Sequence, residues 1–120
     1  MSYFDHEKLD VYVAAIDFVV VANAVVGRLP RGNAYLADQL LRAATSISFN
    51  IAEGAGESAE HEKARFYRIA RRSATECAAI LHVCEKLEVA DKAVLAQGRD
   101  LLLRVVAMLT KIVRVHGRSS

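Results

Sequence analysis

Apolar residues recur at three- and four-residue steps in four long stretches of this chain, and glycine, proline or short polar residues interrupt the pattern between them. That period belongs to helices with a buried face, and no stretch shows the alternation of a half-buried strand. The first helix is predicted from a cap at Asp5 to about Val26, with Leu9, Tyr12, Ile16, Val19 and Val26 on its packing face. A second apolar stripe, Val11, Ala15, Phe18, Ala22 and Val25, lies about 110° further around, leaving a narrow polar strip at Asp10 and Asp17. A bundle helix generally buries one side, so the second stripe predicts a contact with another chain. Its candidate interface residues are Val11, Phe18 and Val25.

The turn GRLPRGN, Gly27 to Asn33, ends this helix, and Asn33 is placed to cap a second one from Ala34 to about Glu53. Its seam is Leu40, Ala44, Ile47 and Ile51, beside a polar line of Gln39, Arg42, Ser46, Asn50 and Glu53. After Gly54 and Gly56, Ser58 is the predicted cap of a third helix, with Glu60 and Glu62 in its first turn, where the helix dipole favours negative charge. Phe66, Ala70, Ser73, Cys77, Ile80, Cys84 and Leu87 form its seam in coiled-coil-like steps. A break at EVADK lets Asp91 cap a fourth helix ending at Gly117. Its predicted seam is Val94, Gly98, Leu101, Val105, Met108, Ile112 and Val115, with Gly98 marking a close helix approach. Four long amphipathic helices with short links predict an all-α, antiparallel up-down-up-down four-helix bundle, one domain over residues 1–120.

Composition agrees: 53% apolar residues, a single Pro and no Trp suit an ordered core and exclude disordered or collagenous classes. The opening MSYFDHEKLD lacks a basic segment followed by an apolar one, so no secretory signal is expected. The apolar runs FVVVANAVV and LLLRVVAMLTKIV fall short of the roughly 20 residues of a membrane span. A cytoplasmic protein without a membrane partner is the expectation. Cys77 and Cys84, separated by about 10 Å along one helix, are too far apart for a mutual disulfide and read as reduced core residues. Charge is uneven. Residues 1–60 carry four Lys or Arg against eight Asp or Glu, a balance of −4, and residues 61–120 carry twelve against six, a balance of +6.

Candidate chemistries narrow quickly. A di-iron bundle needs Glu-x-x-His on two helices; here only the reversed His82–Glu85 spacing occurs, so no metal ligand or cofactor is assigned. Cys77 and Cys84 sit on an apolar seam, a poor setting for a nucleophilic thiolate. Small helical RNases of the HEPN type place His a few residues after Arg. The pairs Arg114 with His116 and Arg72 with His82 miss that spacing, and no catalytic residue is assigned. Two basic lines remain: His61, Arg65, Arg68 and Arg72 on the third helix, and Arg104, Lys111, Arg114 and Arg118 on the fourth. Neither has interleaved aromatics, so contact with RNA or DNA would run to phosphates. The plain alternative is a solvated face balanced by Glu62, Glu76 and Asp100.

The run QLLRAATSISFNIAEGAGES, with LDVY ahead of it and ARFYRIARRSATECAAIL behind, resembles the four helix bundle protein family, also called 23S rRNA-intervening-sequence proteins. The likeness extends from about Leu9 to Leu87. It implies a bacterial cytosolic bundle that assembles as a homopentamer without established catalytic activity. It also implies kinship with the nucleic-acid-binding accessory variability determinant of diversity-generating retroelements. Arg42, Ser46, Asn50, Ile51, Ala52, Glu53 and Gly54 carry the family motif. Glu57 departs from the Arg that many members have there, and RRSATE replaces a usual Gly-Ser before Glu76. Asn50 is a poor helix former and Glu53 sits at the end that disfavours a carboxylate. The expectation is that both bond across to a neighbouring helix, with Arg42 or Arg72 as partner, while Gly54 takes a left-handed turn. The expected function is a non-enzymatic oligomeric scaffold that binds nucleic acid weakly and without sequence preference. A structural module for protein partners is the alternative, and a small helical RNase lies further off.

Overall fold

The computed structural model describes residues 3–117. It contains α1 (Asp10–Val26), α2 (Ala34–Gly56), α3 (Glu60–Lys86) and α4 (Lys92–Gly117), preceded by one 3-10 turn, Asp5–Lys8. No strand occurs among the described residues. The fold is all-α, and no described helix is long and apolar enough to cross a membrane.

Helix boundaries follow local hydrogen bonding. Asp91 caps α4 as predicted, its Oδ1 accepting from Ala93 N (2.8 Å) and Val94 N (3.1 Å). Asp5 does not start α1: Glu7 folds back onto Phe4 N (2.9 Å), closing a separate turn, and the extended Leu9 precedes the helix. Asn33 stands at the start of α2 without a side-chain cap bond. At α3 Ser58 does not cap: the N-cap is Ala59, without a side-chain cap bond, and Glu57 Oε1 accepts from Ser58 N (3.0 Å) and Ala59 N (3.2 Å) in the turn ahead of the helix. The end of α3 is closed by Val89 N donating to Cys84 O (3.1 Å), around a left-handed Glu88 with φ 56°.

Contacts between helices run in opposite chain directions. Ser46 meets Ser73, and further along α2 Gly54 meets Tyr67, so α2 and α3 are antiparallel. His116 pairs with Glu60, Arg71 reaches Thr110 and Leu81 lies against Gly98, so α3 and α4 are antiparallel. Phe18 and Val21 approach Gly98, and Leu9 and Val11 share a groove with Met108 and Ile112, which sets α1 against α4 the same way. The bundle is therefore up-down-up-down. One apolar cluster draws on all four helices.

The α2 seam is as predicted, Leu40, Ala44, Ile47 and Ile51 all being fully buried. Gly98 does mark a close approach: a Cβ there would lie 3.1 Å from Leu81 and 3.3 Å from both Phe18 and Val21. The α1 assignment is reversed. Val11, Phe18 and Val25, the expected partner contact, are buried in the chain's own core with Ala14, Ala15, Val21 and Ala22. Ile16 of the expected packing face is exposed instead, and Leu9, Tyr12, Val19 and Val26 only flank the core. The physical reason is the three alanines, which let α1 approach its neighbours closely along that side. In the α4 seam Gly98 and Val105 are buried as predicted, but Leu95, Leu102, Leu109 and Val113 take the places of Val94, Leu101, Met108 and Ile112, one residue on, and Val115 is exposed. Cys77 and Cys84 are free and buried; burial pushes the Cys77 thiol up to about 12.

Candidate functional site

The family-like run occupies the C-terminal half of α2, where its polar residues meet α3. Ser46 Oγ and Ser73 Oγ share a hydrogen bond of 2.8 Å between the two helices. Asn50 does not reach across: its Nδ2 donates to Ser46 O (2.8 Å) and Ser46 Oγ (3.1 Å), supporting the serine that does. Glu53 is exposed and no bond joins it to Arg42 or Arg72, both of which are also exposed. The expected carboxylate lock between helices is therefore a hydroxyl pair braced by an amide.

Gly54 is not a left-handed turn either, since α2 continues through Gly56 and Gly54 has no positive φ. It is buried beneath Tyr67, where a Cβ would stand 2.8 Å from Cε1 of the ring. The end of α2 is capped by a cation: Lys63 Nζ donates to Gly54 O (2.6 Å) and Ala55 O (3.2 Å), where the helix dipole favours positive charge. Burial raises the pKa of Tyr67, with a smaller contribution from Glu60. Glu60 Oε2 lies 2.6 Å from His116 Nδ1, tying the start of α3 to the end of α4.

The basic lines are on the surface. Arg65 is held by Glu62 (Nε to Oε1 3.0 Å) and lies 4.6 Å from the centre of the Phe66 ring. That hydrogen bond lowers the Glu62 pKa and raises that of Arg65. Arg68, Arg72, Arg104, Lys111 and Arg114 are exposed and form no ion pair among the described residues; Arg118 lies outside them. Of the three acids expected to balance these lines, only Glu62 does so by direct contact. Asp100 lines a groove with Arg104, Asp17, Val20 and Gln97, without an ion-pair contact, and Lys111 borders another with Leu9 and Asp10. Arg104 and Lys111 thus lie toward α1, whereas Arg65 and Arg72 flank the α2 side, next to Phe66 and Ser73.

Sequence reasoning missed two exposed apolar features. Val13 (50%), Ile16 (38%) and Val20 (65%) form a ridge along α1 at helical spacing, outside the core. Phe49 on α2 is 66% exposed. The ridge was legible only as a helix apolar all round; which stripe faced outward depended on the alanines. Of the residues weighed for chemistry, His82 and Glu85 are exposed on a shallow surface groove with Lys92 and Arg99, and His116 is engaged by Glu60.

The described helices and their paired contacts cover the span matched by a family model described as 23S rRNA-intervening sequence protein, residues 7–111. The chain belongs to that family. The matched span holds the Ser46–Ser73 contact, Gly54, Lys63, Tyr67 and the cations from Arg65 to Lys111, and it ends before Arg114, His116 and Arg118. No curated protein matches the chain at a significant level.

Proposed function

We propose that this member of the 23S rRNA-intervening sequence protein family is a non-enzymatic, cytoplasmic, self-associating bundle that binds RNA or DNA by phosphate without reading sequence. The observation that carries the reading is the set of exposed cations, Arg68, Arg72, Arg104, Lys111 and Arg114, that form no ion pair among the described residues, with Arg118 lying outside them. Guanidinium groups free of carboxylates can donate two parallel bonds to a phosphate. One subunit offers few of them, so useful affinity depends on several copies presenting the same face to one strand or duplex.

Self-association is supported by the Val13–Ile16–Val20 ridge, which replaces the stripe first expected to make the contact. A homopentamer is the assembly that the family resemblance implies. Light scattering should give a mass several times 13.2 kDa; a monomer mass defeats the self-association. In gel shifts, the log of affinity should fall against log salt by about 0.9 per phosphate contact on duplex DNA. Replacing Arg104, Lys111 and Arg114 by Gln should flatten that slope while leaving the mass unchanged. If the intact assembly shifts neither RNA nor DNA at about 50 mM salt, where such binding is strong, the nucleic-acid reading fails and the structural module for protein partners takes its place.

A further inference from the structure

The arginine line of α3 has no aromatic residue within it, but the fold sets one beside it from another helix. Ser46 opposite Ser73 and Gly54 opposite Tyr67 fix the antiparallel register of α2 and α3, which places residues 70 to 72 of α3 across from Phe49. Phe49 is 66% exposed, and its neighbours at three- and four-residue steps on α2 are mostly polar: Thr45, Ser46 and Glu53, with Ala52 the exception. Arg42 and the exposed Tyr35 precede it at seven-residue steps, two turns or about 10 Å each, so two rings flank one guanidinium on a single face. Across the helix pair rise Arg65, Arg68 and Arg72, with Arg65 held over the Phe66 ring.

We infer that the outer face of α2 and α3, centred on Phe49, is a stacking platform for the bases of single-stranded nucleic acid, whose backbone the adjoining arginines hold. This rests on the nucleic-acid reading above and adds to it a strand type and a contact residue. An exposed ring offers a π-face to any base, and arginines within reach of the same strand supply phosphate contacts, the combination that binds single strands without sequence preference. Arg65 and Glu62 pair with each other, and Arg42, Arg68 and Arg72 stand interspersed with Asp38, Glu53 and Glu76, so the phosphate contacts are local ones from individual guanidiniums rather than the work of a net field. The setting is unlike a protein seam. The α1 ridge is purely aliphatic, Val13, Ile16 and Val20, whereas Phe49 is an aromatic ring set largely among polar groups.

The chain has no tryptophan, so Phe49→Trp introduces a unique reporter at the platform. The assembled full-length protein is titrated with a labelled 20-nucleotide RNA strand, the matching duplex, and inorganic polyphosphate. Phe49→Ala should weaken single-strand binding about tenfold or more, change duplex and polyphosphate binding less than twofold, and leave the salt slope unaltered. Arg72→Gln should instead reduce the single-strand salt slope by about 0.7. Phe49→Trp should bind the strand as well as the parent, and its fluorescence should be quenched by the strand but not by polyphosphate. Undiminished single-strand binding by Phe49→Ala, or unresponsive fluorescence of Phe49→Trp during binding, overturns the platform while the phosphate reading stands. A smaller mass for Phe49→Ala in light scattering makes the ring a contact between copies and overturns it as well. If the parent binds no nucleic acid at all, both readings fall.

Discussion

Replacing Gly54 by alanine sets two energies of known sign against each other. The added methyl would lie 2.8 Å from Tyr67 Cε1 and 3.0 Å from Cδ1 and Cζ, whereas carbon contacts are optimal at about 3.5–4.0 Å. Tyr67 cannot step aside cheaply. It is 3% exposed, and the His116 ring packs on it with centroids 5.9 Å apart. Overpacking of this kind costs about 1–3 kcal/mol. Against it stands the helix preference of alanine over glycine, about 0.8–1 kcal/mol in a helix interior and less this near the end of α2. The net expectation is a loss of about 1 kcal/mol, or roughly 4 °C in Tm for a chain of this size. Gly56→Ala is the internal control, because nothing lies within 4 Å of a Cβ there. Melts followed by circular dichroism, at one protein concentration so that assembly does not shift Tm, and urea titrations give both values. A Gly54→Ala melting temperature equal to or above that of Gly56→Ala would refute the close-packing account of this glycine.

Glu88→Gly should stabilise the chain by about 0.5–1 kcal/mol, because φ 56° strains a residue with a side chain and suits glycine; an unchanged urea midpoint would count against strain there. Lys63→Gln should cost about 1 kcal/mol by withdrawing the cation from the Gly54 and Ala55 carbonyls, whereas Lys63→Arg should recover part of it in the same melts. Because the native Cys77 thiol is pushed from 9.0 up to about 12, its contribution to stability is fully present below pH 9 and is lost as pH rises toward 12. Urea midpoints of the parent should therefore fall more steeply above pH 9 than those of Cys77→Ala, and parallel curves would sink this linkage.

The number, order and approximate limits of the helices were legible because α2, α3 and α4 each carry a recognisable apolar face and a break after it. The α2 seam was read residue for residue, since Leu40, Ala44, Ile47 and Ile51 stand beside a clearly polar line. In α1 the pattern had no such contrast. With valines all round, periodicity admits either stripe, and the difference lies in how closely Ala14, Ala15 and Ala22 let the helix approach its neighbours. The motif residues were misassigned for another reason. Asn50 and Glu53 signalled an unusual helix end, but the hydroxyl pair Ser46–Ser73 and the Lys63 cap join α2 to α3, and spacing within one helix carries no record of its neighbour. The same limit hid the placement of Phe49, which comes to lie across from residues 70 to 72 of α3 only through the register of the two helices.

The Lys63 cap also bears on the order in which the bundle assembles. It closes a loop of nine residues, whereas Phe18 must meet Gly98 across eighty. Closure entropy grows by about 0.6 kcal/mol per doubling of loop length, so the second contact begins at a disadvantage of roughly 2 kcal/mol. The α2–α3 hairpin is the cheaper nucleus, and its amides should gain protection ahead of those of α1 in pulse-labelled hydrogen exchange. During synthesis the order is awkward: α1, the most apolar helix, emerges first yet completes its packing only after α4, the last helix, has been made.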